Sequence, residues 1–352
     1  MMSPLPSPDH NAIMSQFAAL VDDGFLLLDR QFNIVMANTM ATRYLGENLI
    51  GMAIADVLVS PQLDHDLNVI TEHRQSKEMV ASSAKDDRRR FRVRLRAIDD
   101  RLIGVLVMDM TLQHNLEKVR RDFVANVSHE LRSPLTSLIG FIETMQSPMP
   151  IDDATRARFL SIMDEEARRM SRLINDLLSL SRVETEEHIS PTQTIAVDKL
   201  VRSAMMALSN RAQKVNRTIF FRDKTGRGKN NDDDIMILGV HDEMMEVFHN
   251  LLDNAIKYGF NNTDITVEMT APDPHHIAFT VINQGEGIEE KHLPRLTERF
   301  YRADKSRSRQ MGGTGLGLAI VKHIVNRHRG TIEITSEMGG QTRFTITLPL
   351  AL

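Results

Sequence analysis

Cysteine is missing altogether from this 352-residue chain, which excludes disulfides, thiol catalysis and cysteine-ligated zinc. Long apolar runs are missing as well; none approaches the roughly 18–20 residues that a bilayer-spanning helix needs. The N-terminus, Met1 to His10, is rich in Pro and Ser and lacks the basic-then-apolar plan of a signal peptide. Nor is there an excess of one charge. The 43 Lys and Arg against 47 Asp and Glu leave a net charge of −4 and no electrostatic case for nucleic acid. No internal repeat is evident. What remains, 41% hydrophobic and 26% charged residues, is ordinary for soluble globular protein. The length suggests two or three domains.

A tail at 1–18 precedes a small α+β region at 19–110. Gly24–Asp29 and Asn33–Asn38 predict two strands around a polar turn, and Ala41–Leu45 a short helix. Phe91, Val93 and Leu95 alternate with arginines, the period of a half-buried strand, and Leu102–Met110 predicts a more continuous apolar one. His65 and His73 read as surface residues rather than haem ligands.

From 111 to 185 the period is helical. Leu112, Leu116, Val119, Phe123 and Val127 make one stripe that should be buried. Just off it lie His129 and Glu130, in Ser128-His129-Glu130-Leu131-Arg132-Ser133-Pro134, so the imidazole should project from the helix. A neutral imidazole is a phosphoryl acceptor, and a neighbouring carboxylate can orient it or take its proton. Pro148 and Pro150 end this helix, and Asp152 and Asp153 cap a second one with Phe159, Met163, Ala167, Met170, Leu173, Leu177 and Leu180 in its stripe. The methionines are core fillers. Two antiparallel helices cannot cover both stripes, which a homodimeric four-helix bundle would do.

Residues 186–194 are polar and form a linker; 195–352 read as an α/β domain. Val197–Gln213 predicts a helix, with strands at Thr218–Phe221 and Ile235–Val240 and a loop at 222–234, whose Asp232-Asp233-Asp234 is a solvated turn rather than a metal site. Four motifs then follow. Glu246, Asn250, Asn254 and Lys257 share one helix face, a carboxylate, two amides and a cation suited to a divalent ion and phosphates. Asn283-Gln284-Gly285-Glu286-Gly287 ends a strand with glycines that let a ligand approach the backbone. Arg299-Phe300-Tyr301-Arg302 leads into the basic stretch Lys305–Arg309. Gly312-Gly313-Thr314-Gly315-Leu316-Gly317 opens the helix Ala319–Arg327, offering amides and a positive dipole end to phosphate.

In this order and spacing, residues 120–352 resemble bacterial sensor histidine kinases, with dimerisation and phosphoacceptor helices followed by a Bergerat-type (GHKL) α/β sandwich that binds ATP. Phe123-Val124-Ala125-Asn126 and Gly340-Gln341-Thr342-Arg343-Phe344 fit as well. The order of elements at 19–110 resembles the PAS sensor fold, with Asn38 matching the asparagine found after its second strand. Lacking cysteine, this region cannot form the flavin adduct of some PAS relatives. In finer detail the layout resembles the phosphate-regulon sensor branch.

The resemblance implies a multidomain α+β protein with His129 as phosphoacceptor and Glu130 as its base. It places ATP and Mg²⁺ among Glu246, Asn250, Asn254, Lys257, Tyr258, Asn283, Gly285, Gly287, Gly313, Thr314, Gly315, Leu316 and Gly317, with Asn254 and Asn250 holding the metal. It further implies a homodimer, a bacterial setting in which the chain as given is cytoplasmic, with truncation of a membrane-anchored sensor left open, and transfer to an aspartate on the receiver domain of a separate response regulator. Two positions depart from the family. Asn283 stands where an aspartate accepts a hydrogen bond from the adenine amino group, and Ser133 where Thr or Asn supports dephosphorylation of the regulator. Two other readings use the same residues. One is a non-kinase ATPase doing conformational work, which gives His129 no purpose; the other is a scaffold or phosphatase that binds nucleotide poorly, motivated by Asn283.

Overall fold

The structure, a computed structural model, describes residues 18, 20–73, 75–147, 151–226, 234–304, 311 and 313–351. The tail at 1–17, Pro148, Pro150, Asp232, Asp233, the basic stretch Lys305–Arg309 and Gly312 lie outside the described residues. Two compact units divide the chain, Met1–Ala125 and Asn126–Leu352.

In the first unit, strands β1 (Gly24–Leu28), β2 (Ile34–Ala37), β3 (Leu58–Val59), β4 (Lys77–Ser83), β5 (Arg90–Ala97) and β6 (Ile103–Asp109) form one antiparallel sheet. Its order is β2-β1-β6-β5-β4-β3. The alternation in β5 does what its period requires: Phe91, Val93 and Leu95 are fully buried, while Arg94 pairs across the strands with Glu78 at 2.9 Å. Helices α1 (Thr39–Leu45) and α2 (Leu63–His73) supply Leu45, Leu67 and Ile70 to the same core. Buried Asn38 staples the start of α1: its Oδ1 accepts from the Ala41 and Phe25 amides at 2.8 and 2.9 Å, and its Nδ2 donates to the Ala18 and Asp23 carbonyls, both at 2.9 Å. His65 and His73 are exposed.

Helix α3 (Thr111–Gln146) passes through Pro134, its buried residue. The stripe expected to be buried is not covered within one chain. Leu112, Leu116 and Val119 are 74%, 62% and 51% exposed, and Leu135, Ile139 and Ile142 further along are also open. The physical reason is the one that argues for a second copy, since a lone hairpin has only one inward face. In the second unit, α4 (Asp153–Glu186) is capped by Asp152, whose carboxylate accepts from the Thr155 amide at 2.9 Å. Contacts Phe141–Phe159, with ring centroids 5.0 Å apart, and Glu130–Arg169 run α3 and α4 antiparallel.

The rest of this unit is an α/β sandwich. Strands β7 (Thr194–Ala196) and β9 (Met236–Leu238) pair with each other. The main sheet takes β8 (Ile219–Asp223), β10 (Ile265–Asp273), β11 (His276–Gln284), β12 (Thr331–Ser336) and β13 (Gln341–Pro349) in the order β12-β13-β11-β10-β8. Only β8 and β10 are parallel. Helices α5 (Val197–Gln213), α6 (His241–Tyr258) and α7 (Gly317–Arg327) complete it. Helix α6 buries Met244, Val247, Phe248, Leu251, Leu252 and Ala255 against the sheet, with the Phe248 ring edge-on to Phe279 at 5.3 Å. Burying such a phenylalanine contributes about 2–3 kcal/mol. That apolar face fixes the rotation of α6, so its polar face turns to the opposite side. Among the described residues no helix is long and apolar enough to cross a membrane.

Candidate functional site

The polar face of α6 forms one wall of a cavity of about 490 Å³. Asn250, Asn254, Lys257 and Tyr258 line it from α6, Asn283, Gly285 and Gly287 from the end of β11 onward, and Gly313, Thr314, Gly315 and Gly317 from the entry to α7. Three segments far apart in sequence thus meet at one site. Two residues of the expected set are not on its wall. Leu316 is fully buried, and the Glu246 carboxylate is turned to α4, where the Ser179 hydroxyl donates to its two oxygens at 2.8 Å each. Burial raises the Glu246 pKa, and the Ser179 bond opposes that shift.

The glycines are there because something else occupies their side-chain space. A Cβ on Gly317 would stand 2.6 Å from Asn250 Oδ1, so this glycine lets the amide reach the N-terminus of α7. Gly287 has φ +83°, and a Cβ there would strike the Glu337 carbonyl. Helix α7 begins at Gly317, which lines the cavity, and a helix N-terminus is the end that attracts anions.

Asn250 Nδ2 donates to the Glu246 carbonyl at 3.0 Å, which fixes the amide and leaves Oδ1 as an acceptor. The Asn254 side chain has no hydrogen bond to any described residue and faces the cavity. Lys257 is held by Asp253 at 2.8 Å, and Arg211 of α5 takes the other oxygen of that carboxylate. Asp253, absent from the expected set, therefore positions the cation.

A further wall comes from α4. Arg172, Asn175 and Asp176 line the cavity, and the Thr314 hydroxyl donates to Asp176 Oδ2 at 2.6 Å. Burial raises the Asp176 pKa, partly offset by that bond. No site role was expected of these residues. The signal that could have found them is spacing, since Arg172, Asn175, Asp176 and Ser179 put four polar groups on one face at i, i+3, i+4 and i+7.

On α3, His129 is exposed and makes no hydrogen bond to a described residue. Ser133, one turn later, is exposed as well. Glu130 is not: its Oε2 accepts from Arg169 Nη2 at 2.7 Å and from Arg302 Nη2 at 3.3 Å. Arg302 also lines the cavity, so one ion pair links the neighbour of His129 to the cavity wall.

Residues 239–352 match the family described as histidine kinase-, DNA gyrase B- and HSP90-like ATPase, and residues 119–186 the His Kinase A (phospho-acceptor) domain. The phosphate regulon sensor protein PhoR of Pseudomonas aeruginosa is 34% identical over 94% of this chain and 73% of its own length. The sensor protein kinase WalK of Staphylococcus aureus is 34% identical over 94% of the chain and 79% of its own; longer WalK sequences from other strains are spanned to 54%. The histidine kinase ThkA, solved in complex with the response regulator protein TrrA, shares the fold: TM-score 0.52 at 19% identity, covering 96% of this chain and 98% of ThkA. The ATP-binding sandwich, the phosphoacceptor helices and these relatives agree: the chain belongs to the bacterial sensor histidine kinases, ATP-dependent protein-histidine kinases, and resembles their PhoR branch.

Proposed function

We propose that the chain phosphorylates itself on His129 with ATP bound in the α6–α7 cavity, and passes the phosphoryl group to an aspartate of a separate response regulator. The observation that carries this is the Glu130–Arg302 contact, because it joins the residue beside an exposed imidazole to the wall of a phosphate-suited cavity. The backbone amides at Gly315–Gly317 and the Lys257 cation hold the triphosphate, and the Asn283 end takes the base. Asn254 and Asn250 offer amide oxygens, hard donors that fit Mg²⁺; bound there, the ion would neutralise phosphate charge.

Neutral His129 attacks through one ring nitrogen. The N–P bond forms as the γ-phosphorus parts from the bridging oxygen, which leaves with its electron pair on ADP. The other ring N–H loses its proton to Glu130, which must first exchange its arginines for the imidazole. In the second step the N–P bond breaks as a regulator carboxylate oxygen takes the phosphorus, the bonding pair stays on the His129 ring, and the proton held by Glu130 returns to restore the neutral imidazole. The transfer in reverse of signalling, hydrolysis of the regulator's acyl phosphate, would use a water held by the Ser133 hydroxyl.

The exposed apolar residues of α3 and α4, such as Leu135, Ile139 and Leu178, are the surface a second copy covers in a homodimeric four-helix bundle. We assign 19–110 as a PAS-like sensor, supported by its sheet order and by the Asn38 staple, 111–185 as the signalling and phosphotransfer helices, and 195–352 as the catalytic domain. ATP supply sets the cytoplasm as the place of work.

Incubation with γ-labelled ATP and Mg²⁺ tests the proposal. Acid-labile label on the protein that disappears in His129→Gln is the expected result. Hydrolysis of ATP without labelled protein would instead make the chain a non-kinase ATPase.

A further inference from the structure

The cavity has two chemically different ends. Toward α7 it is glycine backbone, amides and Lys257; toward β11 it is Ile288, Leu296 and Phe344. At that apolar end two polar side chains are buried side by side in the β11–β13 register, Asn283 at 4% exposure and Thr342 at 5%. Thr342 is engaged, its hydroxyl 2.7 Å from Ser336 Oγ, which itself accepts from the Ile288 amide at 3.0 Å. Asn283 is not engaged. Its side-chain amide lines the cavity and has no hydrogen bond to any described residue. Its atoms open onto the cavity, so both the donor and the acceptor of this amide are available to a ligand group.

We infer that Asn283 lets the site accept purine nucleotides carrying either an amino or an oxo group at carbon 6. The inference rests on the cavity being the nucleotide site and names the base that fits it. A carboxylate here would only accept; it would bind a 6-amino group and repel a 6-oxo group. A carboxamide carries both an acceptor and two donors. With Oδ1 toward the 6-amino group of adenine, Nδ2 faces the N1 acceptor. Turned by 180° about its last torsion, Nδ2 donates to a 6-oxo group while Oδ1 accepts from N1–H. Because no described residue holds the amide in either orientation, the turn breaks no bond within the protein. Strong rejection of an analogue comes from leaving a buried polar group unpaired, and with an amide neither base does so.

Binding of ADP and of inosine diphosphate to the full chain, measured by calorimetry, tests this without any phosphoryl transfer. Inosine carries the 6-oxo group and no 2-amino group, so it isolates the position in question. The wild type should bind the two within about tenfold of each other, and Asn283→Asp should widen the ratio by at least about tenfold, mostly by weakening inosine diphosphate. A smaller widening overturns the inference. Should Asn283→Asp not fold, the wild-type ratio decides alone: up to about tenfold supports the inference, and anything larger overturns it. Asn283→Ala is a second check, since it should weaken ADP and inosine diphosphate alike. Absence of ADP binding sinks the nucleotide site and this inference together, whereas ADP binding with an unchanged ratio sinks this inference alone.

Discussion

Arg302 and Glu130 are 172 residues apart in sequence, yet their side chains meet at 3.3 Å, with the Arg302 side chain 6% exposed. In this arrangement the carboxylate next to His129 belongs to two guanidiniums and not to the imidazole. Glu130→Gln therefore removes the proposed base and weakens both pairs. Autophosphorylation should fall by about 100-fold or more, the scale of lost general-base catalysis, while the Kd for ADP changes far less. Initial rates of labelling set beside calorimetric binding separate the two. An equal loss in both would mean that Glu130 serves the cavity rather than the histidine.

Asp176 gives a pH dependence of defined sign. Burial holds its carboxyl above its ordinary value of 3.8, the Thr314 bond opposing. The folded chain then binds that proton more tightly than the unfolded one, so this stabilisation is complete below 3.8 and lost as pH rises through the folded pKa. Glu246 shifts in the same direction for the same reason. Asp176→Asn removes the cost of burying the charge and keeps an oxygen to accept from Thr314. Its Tm should exceed that of the wild type on the order of 2–4 °C at neutral pH, with the gain shrinking toward pH 4. A gain independent of pH would contradict this origin.

Buried Arg217 ends α6. Its guanidinium donates to the carbonyls of Ala255, Ile256 and Gly259 at the C-terminal end of that helix, the first of which also accepts from the Gly259 amide. Arg217→Met should lower stability by about 2–3 kcal/mol, read from urea unfolding. It should also weaken nucleotide binding, because Lys257 and Tyr258 stand in that last turn.

Ser133→Ala tests the proposed hydrolysis of the regulator's acyl phosphate. Dephosphorylation of a phosphorylated regulator should drop by about five- to tenfold, the worth of one hydrogen bond, and by more than autophosphorylation does. Equal effects on both reactions would assign Ser133 to the helix rather than to a water.

The cavity was legible because its parts are local. An amide face on α6, a glycine pair after β11 and a glycine loop before α7 each carry their chemistry within a few residues. Most elements followed from period alone, as in β5 and α4. Helix α2 carries a readable pattern: Leu63, Leu67 and Ile70 are spaced for one buried face. Strands β3 and β4 are different, for Lys77–Ser83 buries Met79, Ala81 and Ser83, too small and mixed a set to announce a strand. The contacts that α4 makes with the cavity depend on docking. Nothing near Ser179 or Asp176 names Glu246 or Thr314 as partner, and Glu130 could not be known to face two arginines.

Pro134 stands four residues after Glu130, inside a helix that continues past it. Proline has no amide hydrogen, so the rung that would close from residue 134 onto the Glu130 carbonyl does not exist. The turn bearing His129 and Glu130 is thereby one rung short within the helix. A bend imposed on α3 meets less resistance at that missing rung than at a fully bonded turn.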